Sequence, residues 1–337
     1  MMKKLTINQI AKLADVSKGT VSKVLNNYPH VSDEMRERVM KVVNQTGFQR
    51  HHVAQLLASS RSNIIGLIIP SGAKSVFADP YFAHLTESIT RSCNVFGLTL
   101  SLLLFYAEQE NISATKNIIT NGLLDGVILS GDRRDNDILP WLIQQSTRFV
   151  FLGRPDSTTN QPIHFVDVDN FAGGKMATDH LLSSGHRRIG FIGCNINWAG
   201  EHRYDGYRVA LAEGGIDYDP NLVIFGDFSP ESAYDAMTTL IKVGVDAVFV
   251  ISDNMALSAL KCIREHGLSV PDDISVIGFD DLPMAHQAAP NLTTIRQPIQ
   301  KQAHLAVETL IKIIETPHDA PHQIILSPEL VIRGTTQ

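Results

Sequence analysis

From Ile64 to Asp280, short apolar runs alternate with helical patterns, and no other feature restricts the chain as strongly. The runs are IIGLIIP, LTLSLLL, DGVILS and RFVFLG, then FVDVD, RRIGFIG, NLVIF, AVFVIS and ISVIGFD. The periodicity between them predicts a helix after Asp79-Pro80 and others near 109–121, 136–146, 172–184, 203–214, 230–243 and 254–266. Continuous apolar strands are buried on both faces, so each series predicts a parallel sheet covered by helices. Two series predict two doubly wound lobes, and the crevice at the strand C-terminal ends is then the default ligand site. TTIRQP, a helix near 299–315 and QIILSPELVIRG return the chain to the first lobe and then to the second. Several such crossings permit hinge closure around a ligand.

The first 48 residues have a different character. In TINQIAKLADVSKGTVSKVLNN, Thr6 and Gln9 form a T-x-x-Q capping box, which predicts a helix starting at Ile7. Ile10, Ala11 and Ala14 share its inner face, Asp15-Val16 break it, and Ser17 caps a second helix with Val21, Val24 and Leu25 inward. Lys18, Thr20, Ser22 and Lys23 then lie toward the start and outer face of that helix. Ser32 caps a third, with Asp33 and Glu34 in its first turn and Met35, Val39, Val42 and Val43 closing the core. This is the pattern of an all-α helix-turn-helix domain, whose second helix enters the DNA major groove. Charge agrees. Residues 1–60 hold nine Lys/Arg against four Asp/Glu, and the rest hold 20 against 31, within an overall net charge of −6. A basic head on an acidic body places the phosphate-attracting field at one end.

Between head and body, FQRHHVAQLLASSRSN holds about two helical turns with Val53, Leu56 and Leu57 apolar. So short a helix needs a partner chain or a DNA groove to order it. An apolar pair on it suits a wedge that kinks a base step in the minor groove; the plainer reading is a linker whose leucines pack on the next domain. Cys93, Cys194 and Cys262 lie far apart with no Cys-x-x-Cys spacing, which fits buried free thiols in a reducing compartment. No signal peptide or transmembrane-length segment is visible, so a cytoplasmic soluble protein is expected.

Polar and aromatic residues gather at strand ends: Asp280-Asp281, Ser252-Asp253-Asn254, Phe228 after Gly226-Asp227, Trp198 and Arg203, and Asp79-Pro80-Tyr81-Phe82. Carboxylates and guanidinium make paired hydrogen bonds to adjacent hydroxyls while aromatic rings cover an apolar ring face. The set suits a small polar ring ligand such as a sugar or nucleobase. Each has a plainer reading: Asp253 and Asp281 as helix caps, Tyr81 and Phe82 as core, Trp198 as a loop cover. Gly173-Gly174-Lys175-Met176 lacks the spacing and hydroxyl of a phosphate loop, and no G-x-S-x-G or H-E-x-x-H appears. His318 and His322, in a Pro-flanked loop, are a poor metal pair. No metal, cofactor or catalysis is expected.

In this order TINQIAKLADVSKGTVSKVLNN, VAQLLA, DPYF, VDVDNFAGG, HLLSSGHRRIGFIG, the stretch from Arg203, SDNMALSAL, VPDDISVIGFDD and PNLTTIRQP make the whole chain resemble the LacI/GalR family of bacterial transcription regulators. The resemblance implies a helix-turn-helix domain (1–48), a hinge helix and linker (49–62) and a body like periplasmic sugar-binding proteins (63–337). The N-lobe is expected at about 63–164 and 295–324, the C-lobe at about 165–294 and 325–337. It implies a homodimer on a near-palindromic operator, with no membrane, acting as a repressor of carbohydrate use under a sugar-like effector. A cytoplasmic sugar-binding protein without DNA function, or a purine-responsive regulator, is the alternative. By position, the DNA-facing set is Thr6, Ser17, Lys18, Gly19, Thr20, Ser22, Lys23, Asn26, His52, Gln55 and Leu57, with Leu57 as the wedge. The effector set is Tyr81, Phe82, Trp198, Ala199, Arg203, Phe228, Ser252 and Asp280. Departures are Gly19, which has no side chain to read a base, Asp15 in place of a turn glycine, Arg50-His51 before the hinge, and Ser252 where asparagine is common. The chain carries no leucine heptads after the last strand, so dimers without a tetramer-forming tail are expected.

Overall fold

The computed structural model describes residues 5–25, 28–29, 31–48, 61–70, 73–104, 112–131, 138–155, 162–194, 197–317 and 320–337. The chain divides into two compact units, Met1–Ser62 and Asn63–Gln337.

The first unit holds α1 (Ile7–Leu13), α2 (Lys18–Leu25) and α3 (Asp33–Thr46). The capping box forms: Thr6 N donates to Gln9 Oε1 at 2.8 Å, and Gln9 N donates back to Thr6 Oγ1 at 3.4 Å. Asp15 takes the left-handed conformation at φ 51°, which a short polar residue tolerates in place of glycine. Ser17 Oγ accepts from Thr20 N at 3.0 Å, and Ser32 Oγ from Met35 N at 3.4 Å. Ile10, Ala11, Ala14, Val21, Val24 and Val39 form the core, with Leu25, Val42 and Val43 at its margin. Met35 does not join it and is 44% exposed. The inner stripe of α3 runs through Val39, Val42 and Val43, so the first helical turn lies outside it. Val31 and Phe48, flanking the helix, complete the cluster instead. One tie was not anticipated. Arg38 of α3 donates to the carbonyls of Ala14 and Asp15 at 2.9 and 2.8 Å and pairs with the Asp15 carboxylate at 3.2 Å. It fastens the turn between the first two helices to the third.

The second unit contains two six-stranded sheets. The first runs β11-β5-β4-β3-β1-β2, all parallel, from β1 (Ile64–Ile69), β2 (Thr99–Leu104), β3 (Gly126–Ser130), β4 (Phe149–Leu152), β5 (Phe165–Val168) and β11 (Gln323–Leu326). The second runs β12-β10-β9-β8-β6-β7, from β6 (Ile189–Cys194), β7 (Val223–Gly226), β8 (Ala247–Val250), β9 (Ser275–Asp280), β10 (Thr293–Arg296) and β12 (Glu329–Val331). Only β12 is antiparallel to its neighbour. Helices α4 (Ala73–Ala78), α5 (Pro80–Val95), α6 (Ile112–Thr120), α7 (Ile138–Gln144) and α13 (Ile299–Glu315) belong to the first lobe; α8 (Asn170–Ser183), α9 (Trp198–Glu213), α10 (Pro230–Val243), α11 (Asp253–Glu265) and α12 (Pro283–Gln287) belong to the second. Separate cores of Val, Ile, Leu and Phe fill each.

Lobe boundaries differ from those expected. β5 pairs with β4 and β11 in the first sheet, so the chain leaves the N-lobe after Val168 and not at 165. β10 lies wholly in the second sheet and β11 wholly in the first, so the later crossings fall at 297–298 and 327–328. Apolar patterning marks a strand but not the sheet it pairs into, because both cores demand the same residues. α9 starts at Trp198, five residues before the expected 203, because Asn197 caps it by accepting from Gly200 N at 2.8 Å.

Candidate functional site

α8 and α9 cross at their glycines. A Cβ on Gly174 would stand 2.1 Å from the Arg203 carbonyl oxygen, and one on Gly206 2.2 Å from that of Phe171. Gly174 and Gly206 therefore serve helix packing, while Gly173 lets α8 approach Phe279 of the sheet. Arg203 is 5% exposed. Its Nε donates to Asn170 Oδ1 at 2.9 Å, one Nη donates to the Ile251 carbonyl, and the guanidinium lies 3.6 Å over the Phe279 ring. Burial lowers its pKa, and the nearby Asp280 carboxylate works against that shift. Asn170 sits where the chain first crosses between lobes. Its Nδ2 donates to the Val168 carbonyl at 2.9 Å and to Asp167 Oδ1 at 3.3 Å, linking Arg203 to the first lobe.

Asp280 ends β9 with φ 123° and is 4% exposed. Gln297, on the second crossing, donates to its Oδ1 at 2.6 Å. Burial pushes the Asp280 carboxyl up to about 7, with Arg203 opposing and Asp79 adding. Burial likewise pushes Asp167 up to about 6. Tyr81 opens α5 beside Asp79, whose Oδ1 accepts from Tyr81 N at 3.0 Å. Burial raises the Tyr81 phenol, and Asp280 and Asp79 act in the same direction while Arg203 opposes. Tyr81, Arg203 and Asp280 thus come together across the two lobes, joined by Asp79 and Asp167.

The other expected residues surround this group less directly. Phe82 meets Tyr81 edge-on, centroids 5.5 Å apart, and both rings pack partly on the first lobe's core. Trp198 and Ala199 form the first turn of α9, and the Trp198 ring lies 6.4 Å from His202. Phe228, at φ 67°, joins β7 to α10 and packs on the second lobe's core. Ser252 is buried and its Oγ caps α11, accepting from Met255 N at 3.4 Å. Asp253 is no cap: it accepts from Thr294 Oγ1 at 2.6 Å and from Leu282 N at 2.8 Å. Asp281 is no cap either. Burial opposes its ionisation, but hydrogen bonds from Arg333 and Arg296 hold its carboxyl below the usual range. Leu282 then inserts into the first lobe's core, 1% exposed. The triplet Asp280-Asp281-Leu282 therefore faces the cleft, the ion-paired strand ends and the opposite lobe in turn. Asn170, Asp167, Phe279, Gln297 and Arg154 escaped sequence reasoning. Asp167 alone carried a signal, as a charge inside the apolar run FVDVD.

In the first unit, Ser17, Lys18, Gly19 and Lys23 are exposed on α2, Thr6 is exposed at the start of α1, and Thr20 and Ser22 are half-buried. A Cβ on Gly19 would meet nothing closer than Ser17 Oγ at 3.5 Å. Asn26, His52, Gln55 and Leu57 lie outside the described residues, as does His318. Among the described residues no three His, Cys, Asp or Glu side chains are placed to hold a metal ion, and no helix is long and apolar enough to cross a membrane.

The model of bacterial regulatory proteins of the lacI family matches residues 6–51, and that of the periplasmic binding protein-like domain matches residues 178–336. The HTH-type transcriptional regulator CelR of Thermobifida fusca is 32% identical over 333 residues, 97% of each chain. The chain belongs to the lacI family. It is a DNA-binding transcriptional regulator and not an enzyme. Among solved structures, the Lac repressor dimer bound to operator and the anti-inducer ONPF superposes with a TM-score of 0.85 at 27% identity, covering 99% of each chain. The CelR–cellobiose complex superposes with a TM-score of 0.78 at 31% identity, covering 98% of this chain and 99% of that one. As in other lacI-family chains, a helix-turn-helix head precedes a two-lobed body, and here the polar cluster lies where the lobes meet.

Proposed function

We propose that this lacI-family regulator is a homodimeric, cytoplasmic repressor of carbohydrate-utilisation genes, and that a small sugar-like effector binds around Arg203 and Asp280. The observation that carries this reading is a buried guanidinium, stacked on an aromatic ring, facing buried carboxylates at the C-terminal strand ends. Paired donors and acceptors at one site are what adjacent ring hydroxyls require. The cellobiose bound to CelR and the operator bound to the Lac repressor dimer support it by analogy. Tyr81, Phe82, Trp198, Ala199, Phe228 and Ser252 complete the proposed cleft. Thr6, Ser17, Lys18, Thr20, Ser22 and Lys23 face the operator, and Gly19 leaves a gap on that surface.

Effector and operator affinities are linked through any state that binds the two differently. The test uses the full chain and a duplex selected from a random pool. Affinity for that duplex falls steeply between 50 and 200 mM salt, and a sugar that stabilises the protein changes it at fixed salt. Failure to enrich any duplex, or duplex affinity indifferent to every stabilising sugar, refutes the proposal.

A further inference from the structure

The charge balance of the cleft decides more than its location. Asp79, Asp167 and Asp280 gather from three elements of both lobes, and burial holds all three carboxyls above their ordinary values. Two cations answer them. Arg203 has already given its Nε and one Nη to Asn170 and the Ile251 carbonyl. Arg154, just past the end of β4, reaches Asp167 only at 3.7 Å, and its buried Nε has no hydrogen-bond partner among the described residues. Neither arginine forms an ion pair with Asp280, whose carboxylate accepts from the neutral amide of Gln297 and from the Asp253 backbone. Among the described residues the cleft therefore gathers one more carboxylate than guanidinium, in surroundings where further negative charge is costly.

We infer that the cleft selects an uncharged polyhydroxylated ligand and rejects sugar acids and sugar phosphates, because ring hydroxyls donate to Asp280 and Asp167 where an added carboxylate or phosphate meets like charge. The Arg154 Nε and the remaining Arg203 nitrogen are donors for ligand hydroxyl or ring oxygens. This rests on the assignment of the effector site to this cleft.

The test is thermal melting of the full-length protein at pH 8 with matched sets: glucose, glucuronate and glucose 6-phosphate; galactose and galacturonate; ribose and ribose 5-phosphate; cellobiose and cellobionate. Hypoxanthine is included as an uncharged non-sugar. The expected result is stabilisation by at least one neutral sugar, its anionic counterpart binding at least about 100-fold more weakly, since like-charge contacts are strongly unfavourable. Asp167→Asn narrows that gap by about 10-fold. An anionic member that binds as tightly as its neutral counterpart overturns the inference. So does stabilisation by hypoxanthine alone, or no response to any member. Arg203→Lys separates this from the underlying assignment. A neutral sugar bound equally well by that variant, with its acid still rejected, shows that the ligand lies elsewhere and refutes the cleft as the source of selection.

Discussion

The two lobes share a strand order and a helix-covered, mostly parallel sheet, yet they present different rims to the cleft. On the C-lobe side the described polar groups are tied down. Arg203 is held by Asn170, the Ile251 carbonyl and Phe279; Asp253 by Thr294 and Leu282; Asp280 by Gln297; Asp281 by Arg296 and Arg333. On the N-lobe side Asp79 caps a helix, Asp167 receives a long hydrogen bond from Asn170 and one from the Val168 backbone, and among the described residues the Arg154 Nε has no acceptor. A ligand at the proposed site would meet one rim with its hydrogen bonds made and another with capacity to spare. Preorganised groups supply affinity at little ordering cost, and groups with spare hydrogen-bonding capacity gain most when a ligand arrives. On the effector site proposed above, the C-lobe is the template and the N-lobe the clasp.

The largest effect is expected from breaking the template. Arg203→Ala leaves buried carboxylates facing one another and removes the group stacked on Phe279. Effector affinity should fall by more than about 100-fold, and the body should lose about 3 kcal/mol, the cost typical of stripping one partner from a buried charge cluster. Titration calorimetry and urea unfolding measure the two. Retained affinity would mean that the template is not where ligand binds. Gly174→Ala acts on the same rim through the backbone. Its Cβ has no room beside the Arg203 carbonyl oxygen, so α9 must shift, lowering stability by roughly 1–3 kcal/mol and effector affinity with it. An unchanged unfolding midpoint would show that the helix crossing relaxes without cost.

The clasp should behave differently. Arg154→Ala removes a half-exposed side chain with an unpartnered nitrogen, so effector affinity should fall about 10-fold while the melting temperature of the free protein hardly moves. A variant that destabilises the free protein as much as Arg203→Ala would erase the distinction between rims. Smallest is the pH effect. Burial pushes the Asp280 and Asp167 carboxyls up to about 7 and about 6 respectively. Ligand hydroxyls donate to the ionised forms, so binding releases protons and affinity weakens as pH falls through 7 and then 6. Of the other groups facing these carboxylates, Asp79 has a raised pKa and titrates in the same sense, while Tyr81 and Arg203 keep their charge states across this window. His202, lowered by burial and by Arg154, gains no charge above its ordinary value. A several-fold loss of affinity between pH 8 and pH 6 is expected; the opposite slope would mean that the carboxyls bind ligand as acids.

The head shows how far local pattern reaches. Capping box, turn, Ser17 and Ser32 caps and the Val21–Val24 face were all legible, because each depends on residues within a few positions of one another. Met35 was misplaced because periodicity gives a helix face without saying where that face stops touching its neighbours. Arg38 was invisible for the related reason that its partners lie 23 and 24 residues away. In the body, the strands and the longer helices followed from the same short-range rules, while α4 and α12 did not. Arg203 and Asp280 stood out as polar residues at strand ends, but Asp253 and Asp281, equally acidic and equally placed in sequence, proved to be structural.

The sequence by itself determined the order of elements, the doubly wound character of both lobes and the end of the sheets where polar groups collect, since these rest on apolar periodicity and local caps. Only the tertiary structure decided which sheet each crossing strand joins, which carboxylates are tied to arginines, and that two arginines and three acids gather at one crevice between the lobes. Pairing, burial and charge balance are sums over residues far apart in the chain, and nothing in a local window fixes them.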